Sequence, residues 1–367
     1  MILQADRLVS AGHDGPGWLE IAAGSVASRG AGQHPHADEA DRVGTAVPGF
    51  VDIHSHGALG HDVGETDAPG LSAVVEYHAA RGTTSLVASV ATAPLDRLDA
   101  AIRSLRPAVE RGDLAGVHLE GPYLSPLRRG AHNPALLRTP RLDEVRGLVE
   151  AGGGTVRMIT LAPELDGAEE AVRWLAAAGV VVAVGHSDAD AALARAAFGW
   201  GATVVTHLFN GMRPLHHRDP GLVGAALSDD RVTVELILDG HHVAAEAAEI
   251  VRRSAPARLA LVSDSMSATG CGDGDYDLAG SVVRVTGGVA TLADGSSLAG
   301  STATVSTGFA LLAAAGVPLR DAVSATSTAA ARAIGLPVPL AVGSPADLLV
   351  VSGGRVDRVM RRGAWLA

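Results

Sequence analysis

Apolar and polar positions alternate along this chain in two rhythms. Short runs, nearly all apolar and rich in β-branched residues, are separated by longer Ala-rich stretches with helical spacing. The runs are 47–53, 85–90, 116–120, 156–161, 180–185, 202–207, 232–238 and 259–264. Six of the stretches, 70–81, 94–111, 142–151, 168–178, 189–199 and 244–255, read as helices. Strands that are apolar throughout belong in a parallel sheet covered on both faces. Eight such β/α units predict an α/β fold of the (β/α)8, TIM-like barrel class. A doubly wound sheet is the alternative, but no Gly-rich dinucleotide turn follows the first strand.

The two ends break this rhythm. Residues 1–46 and 341–367 read as short strands with turns, including Gly15-Pro16-Gly17 and Gly353-Gly354. They are expected to pair into a small β domain built from both chain termini, leaving 47–340 as the barrel. Residues 276–300, with Gly287-Gly288 and Asp294-Gly295 as turns, read as a β-hairpin insertion. Helices over 302–315 and 319–334 then close the barrel.

Composition narrows the chemistry. The chain has 367 residues and a formal net charge of −11, so an electrostatic grip on nucleic acid or an anionic membrane is not expected. All 29 basic residues are Arg. The absence of Lys excludes Schiff-base lysines, a P-loop lysine and a carbamylated-lysine metal bridge. Cys271 is the single cysteine, so no intrachain disulfide forms and a reducing, cytoplasmic location is expected. The first residues lack the basic-then-apolar order of a signal peptide, and no apolar run reaches the ~18 residues of a membrane span.

Functional side chains of such barrels sit at the C-terminal strand ends. Here those ends carry His54-Ser55-His56, Glu120, His186, His207, Asp239-Gly240-His241-His242 and Asp264. A lone His beside an apolar run is ordinarily a hydrogen-bonded structural residue. A His-x-His pair is more telling, since alternate strand residues point the same way. Ligand types at matching heights on strands one, three, five, six and eight are hard to explain as packing, because buried unpaired polar groups are costly. They predict a divalent metal site with N and O donors. Zn, Fe, Mn, Co or Ni would suit it. Such an ion lowers the pKa of bound water to about 7 and polarises a carbonyl, and Asp264 is placed to move the proton. Asp264 as a further ligand remains an alternative.

The segment Pro48-Gly49-Phe50-Val51-Asp52-Ile53-His54-Ser55-His56-Gly57 resembles the first-strand signature of the amidohydrolase superfamily. His118-Leu119-Glu120-Gly121-Pro122-Tyr123, Gly130-Ala131-His132-Asn133-Pro134, Gly185-His186-Ser187 and Thr206-His207-Leu208-Phe209-Asn210-Gly211-Met212 narrow it. With Asp239-Gly240-His241-His242, Ser263-Asp264-Ser265-Met266 and Leu298-Ala299-Gly300-Ser301, they are similar to the N-acetylglucosamine-6-phosphate deacetylase family. The resemblance implies hydrolysis of the acetamide of a 2-acetamido-sugar 6-phosphate. It implies one or two divalent ions per subunit, Zn or Fe foremost, with Glu120, His186 and His207 as shared metal ligands, His54 and His56 as a second-metal pair, and Asp264 as general base then acid. It implies substrate contacts at Ala131, His132, Asn210, Gly211, Asp239, Gly240, His241, His242, Leu298, Ala299 and Gly300. It also implies a homodimer in which Arg218 reaches the neighbouring subunit's site and holds phosphate. Gly211 stands where many members have Ala. His216, His217 and the Arg128-Arg129 pair read as solvated surface residues, and the role of Cys271 is left open. The galactosamine epimer as substrate, a purine deaminase or cyclic-amide hydrolase, and a non-catalytic binding barrel are the alternatives. The missing Lys counts against the carbamate-bridged enzymes, and the intact ligand set counts against the last.

Overall fold

A computed structural model describes residues 1–367. Eight parallel strands form one sheet in chain order: Phe50–Ser55, Thr83–Ala91, Gly116–Glu120, Val156–Leu161, Val181–Val184, Val204–Val205, Thr233–Ile237 and Leu259–Val262. The first and last strands meet through the Asp264 N–H donating to the His54 carbonyl (2.9 Å) and the His56 N–H donating to the Ser265 carbonyl (2.7 Å). The seam that closes the barrel therefore sets His54, His56 and Asp264 side by side.

Helices cover the outside. Leu95–Glu110 presents Leu98, Ala101, Ile102, Leu105 and Ala108 to the sheet at helical spacing. Asp67 and Asp190 cap the helices Ala68–Ala79 and Ala191–Trp200 by accepting backbone N–H groups. Inside the barrel, Val51, Ile53, Met158, Val204 and Val262 pack with the Ala-rich helix Ala329–Ala333. Polar residues occur with them: His118 joins Ser89 and Thr160, and Thr160 joins Thr206.

Both chain ends build a seven-stranded sheet. Ile2–Ser10, His13–Ala22, Ser25–Ala31 and Asp41–Pro48 come from the N-terminal side; Leu348–Ser352, Arg355–Arg361 and Ala364–Trp365 come from the C-terminal side. The halves join where Leu348–Val351 pair antiparallel with Thr45–Pro48. A third sheet, Gly274–Leu278, Ser281–Thr286 and Val289–Leu292, follows the last barrel strand. It packs Leu278, Val283 and Val285 against Met266 and Ala299.

The barrel with its terminal sheet agrees with the sequence reading; the element edges differ for physical reasons. The apolar run entering strand one is shared between two sheets: Pro48 ends a terminal-sheet strand and Phe50 starts the barrel. Strands five, six and eight stop early because His186, His207 and Asp264 adopt left-handed φ of +46°, +28° and +47°. A strand cannot continue through such a residue. The helix Gly221–Leu227 was not apparent, since seven residues with two glycines give no readable period.

Candidate active site

The mouth of the barrel holds one polar cavity. Among its lining residues are His56, Glu120, His132, His186, His207, His242 and Asp264, with Ala131, Asn210, Gly211, Leu298 and Gly300 around them. His54 lies just beneath, fully buried.

Glu120 is the hub. One of its oxygens lies 3.1 Å from His186 Nε2, 3.1 Å from His207 Nε2 and 3.5 Å from His54 Nε2. The other lies 3.2 Å from His56 Nε2 and 3.3 Å from His132 Nε2. Asp264 Oδ1 stands 3.3 Å from His56 Nε2 and 3.6 Å from His54 Nε2. His186, His207 and Asp264 reach this cluster because each follows its strand in the left-handed conformation noted above. Such strain costs of order 1–3 kcal/mol per residue and persists where function requires it.

The ring protons can be placed from the surrounding acceptors. His56 Nδ1 faces the Ser89 carbonyl (2.8 Å), His186 Nδ1 faces the Arg128 carbonyl (2.8 Å) and His54 Nδ1 faces the Glu235 carboxylate (3.1 Å). Each Nδ1 must therefore donate, which leaves a lone pair on each neutral Nε2. Yet the Nε2 atoms of His54 and His56 stand 3.2 Å apart. Converging lone pairs repel unless positive charge lies between them. The Nε2 atoms of His186 and His207 stand 3.0 Å apart, and His207 Nδ1 has no partner. The donor set is N and O throughout, with two groups, His54–His56–Glu120 and Glu120–His132–His186, close enough for a shared ion. The residues fit a divalent cation.

The same demand for positive charge appears in the titration of the cluster. Burial pulls His56 down, but the carboxylates of Asp264 and Glu120 outweigh it and hold the ring up at about 10. Burial pushes Asp264 up, but His54 and His56 hold it down at about 2. His132 moves the other way: burial outweighs the pull of Glu120 and keeps it a neutral imidazole.

A family model for the amidohydrolase family matches residues 45–366. The chain belongs to the amidohydrolase family. This amidohydrolase is 40% identical over 295 residues to the N-acetylgalactosamine-6-phosphate deacetylase of Escherichia coli O157:H7, covering 79% of this chain and 78% of that one. It is 37% identical over 314 residues to the N-acetylglucosamine-6-phosphate deacetylase of Vibrio furnissii, covering 83% and 78%. Its fold is similar to that of a mutant N-acetyl-D-glucosamine-6-phosphate deacetylase from Mycobacterium smegmatis in complex with N-acetyl-D-glucosamine-6-phosphate. The TM-score is 0.96 at 45% identity, over 100% of this chain and 98% of that one.

Not every residue singled out in the sequence of this amidohydrolase reaches the cavity. Asp239 lies behind it: Oδ1 accepts the N–H groups of His241 (2.8 Å) and His242 (2.9 Å), and Oδ2 accepts from His242 Nδ1 (2.7 Å). Burial raises Asp239, but these bonds hold it at about 2. Gly240 and His241 are exposed beyond the turn, so only His242 of the four lines the cavity. Ala299 is packed away among Met266 and Leu292. Arg218 is exposed, with its guanidinium 2.8 Å from His217 Nε2 and no place in the cavity of its own subunit. Arg128 is paired with Asp188, and no arginine lines the cavity. Cys271 is exposed and lies outside it.

Other residues were missed. Glu235 is fully buried beneath the cluster, and His118 packs edge-on to His54 with ring centroids 4.7 Å apart. Leu278, Ala279 and Ser297, from the inserted sheet and its flanks, line the mouth. A carboxylate inside the apolar run 232–238 was the available signal for Glu235.

Proposed function

We propose that this chain hydrolyses the acetamide of N-acetyl-D-glucosamine 6-phosphate, giving D-glucosamine 6-phosphate and acetate, in cytoplasmic amino-sugar catabolism. The observation that carries this reading is the convergence of five imidazole Nε2 atoms on Glu120 beside Asp264, inside a cavity edged by neutral hydrogen-bonding groups. Relatives of both sugar epimers and the likeness to a substrate complex support the substrate class.

In this reading Glu120, His186 and His207 would hold one divalent cation, zinc or iron, and His54 and His56 with Glu120 would offer donors to a second. Bound there, such an ion acidifies water and polarises a carbonyl. Asp264 takes a proton from the attacking water and later delivers it to the amine nitrogen as the C–N bond breaks. Its contacts with both imidazoles of the strand-one pair support this role. His132 and His242 orient the acetamide and the sugar. A neutral His132 donates toward the carbonyl oxygen as negative charge develops on it.

Ala131, Asn210, Gly211, Leu298 and Gly300 shape the sugar site, while Asp239 acts through His242. The phosphate requires a cation that the subunit's own cavity does not supply. Exposed Arg218, whose planar fork suits phosphate, is assigned to the site of the neighbouring subunit of a homodimer.

The test is a panel of initial rates of acetate release. N-Acetylglucosamine 6-phosphate should be turned over far faster than unphosphorylated N-acetylglucosamine. The galactosamine 6-phosphate epimer is the second reading, favoured by the 40% identity to the Escherichia coli enzyme. A preference for it would move the substrate assignment by one stereocentre. Release from none of the three would refute the function.

A further inference from the structure

Beneath the cluster, Glu235 is the one carboxylate on its strand, Thr233–Ile237, and has no exposed surface. Its Oε2 lies 3.1 Å from His54 Nδ1, on the first barrel strand, and 3.2 Å from the backbone N of His207, just past the sixth. Its own backbone carbonyl accepts the N–H of Leu208 at 2.8 Å. Its second oxygen, Oε1, is buried and has no partner. A single side chain thus touches both halves of the cluster from below, 181 residues from one contact and 28 from the other.

These contacts do two things. Accepting from Nδ1 fixes the His54 tautomer and turns a lone pair on Nε2 toward His56, Glu120 and Asp264. A carboxylate on the far nitrogen also makes that lone pair a stronger donor. The bond to the His207 N–H, with the Leu208 bond beside it, holds the strained backbone from which the His207 ring reaches Glu120. Charge adds to the argument. Glu120, Asp264 and Glu235 are three carboxylates in one buried cluster, and the chain has no Lys and no Arg lining the cavity. Buried negative charge of that density calls for more than one cation's worth of compensation.

We propose that Glu235 is a positioning residue that makes the His54–His56–Glu120–Asp264 half of the cluster a second cation position. The inference rests on the reading of the cluster as a metal site. Where the charge of Glu235 is lost but an oxygen remains for the His207 N–H, the Glu120–His186–His207 half keeps its own donors, and His186 keeps its Nδ1 anchor on the Arg128 carbonyl. The strand-one pair loses the tautomer that aims His54.

The test is zinc binding by the metal-depleted full chain, read as moles of zinc per chain and as competition against a chromophoric chelator. Three proteins are compared: the natural chain, Glu235→Gln and Glu235→Leu. The natural chain is expected to bind two zinc ions. Glu235→Gln keeps an oxygen for both N–H groups but removes the charge, and should weaken the second zinc about 10–100-fold while leaving the first unchanged. Glu235→Leu removes the acceptor from both halves and should lose the second zinc and hold the first more weakly. If Glu235→Leu does not fold, by circular dichroism, the isosteric Gln variant carries the test, because a purely structural role would leave its second affinity unmoved. Unchanged second-zinc affinity in Glu235→Gln overturns the proposal, as does two-zinc binding by a folded Glu235→Leu. One zinc on the natural chain also overturns it while leaving the metal reading intact. No zinc on the natural chain overturns the metal reading itself.

Discussion

The Asp239–His242 pair gives a prediction whose size follows from its geometry. Asp239 accepts two backbone N–H groups and the Nδ1–H of His242, and both side chains are nearly buried, at 7% and 5% exposure. The His241 and His242 N–H groups belong to an exposed or part-buried turn, so water replaces each bond at about 0.5–1 kcal/mol. The buried bond to the His242 ring is charge-assisted and contributes about 1.5–3 kcal/mol. Asp239→Ala should therefore destabilise the chain by about 2.5–5 kcal/mol. Asp239→Asn separates stability from function. Its oxygen still accepts the two backbone N–H groups, so stability should fall by only about 1 kcal/mol. Its NH2 group then faces His242 Nδ1 and forces the proton to Nε2, the nitrogen turned toward the cavity. If His242 meets the substrate through Nε2, kcat/KM should fall about 10–100-fold, the equivalent of about 1.4–2.7 kcal/mol. Urea unfolding followed by circular dichroism measures the first effect, and acetate-release kinetics measure the second. Asp239→Asn combined with His242→Ala should be no worse than His242→Ala alone, since the two act as one unit. Wild-type kinetics for Asp239→Asn, or additive losses in the double variant, would refute the reasoning.

Three further outcomes follow from the same site. Asp264→Asn should lower kcat about 10²–10⁴-fold, far more than it lowers metal content, as read by initial rates and elemental analysis; parallel loss of metal would make Asp264 chiefly a ligand. Arg218→Ala should raise KM for the phosphorylated sugar with little change in kcat if its contact is uniform binding, and it should leave activity toward the unphosphorylated sugar unchanged. Chelation should lower the midpoint of thermal unfolding. An ion at 100 times its dissociation constant stabilises by about 2.7 kcal/mol, and its removal leaves lone pairs and carboxylates facing one another. A midpoint unmoved by chelator, in protein first shown to contain metal, would contradict the picture of the cluster.

Much of this arrangement was legible in the sequence because a barrel turns order along the chain into height around a rim. Glu120 at the end of its strand, and His186, His207 and Asp264 just past theirs, fall at one level whatever the lengths of the helices between them. His54 and His56, two apart on one strand, face one point by the period of a strand. What escaped was of two kinds. Glu235 partners residues on other strands, and nothing local marks a carboxylate whose acceptor role is met 181 residues away. His132 was named through the resemblance, but its closeness to Glu120 escaped, because the loop from Gly121 that folds back over the cavity has no periodicity to read. Asp239 was the reverse case. It sat in the right motif, yet its carboxylate is committed to its own turn and to His242. The short strand Val204–Val205 and the helix Gly221–Leu227 are stabilised by tertiary packing, so local pattern could not fix their edges.

The hydrolysis proposed for this chain needs the cation that the cluster is suited to hold. The most direct measurement is acetate release from N-acetylglucosamine 6-phosphate by protein stripped with chelator, then reloaded with zinc or iron at one and two equivalents per chain. The account predicts negligible release from the stripped protein and recovery that tracks the metal added. Undiminished release by protein shown to be metal-free would contradict it.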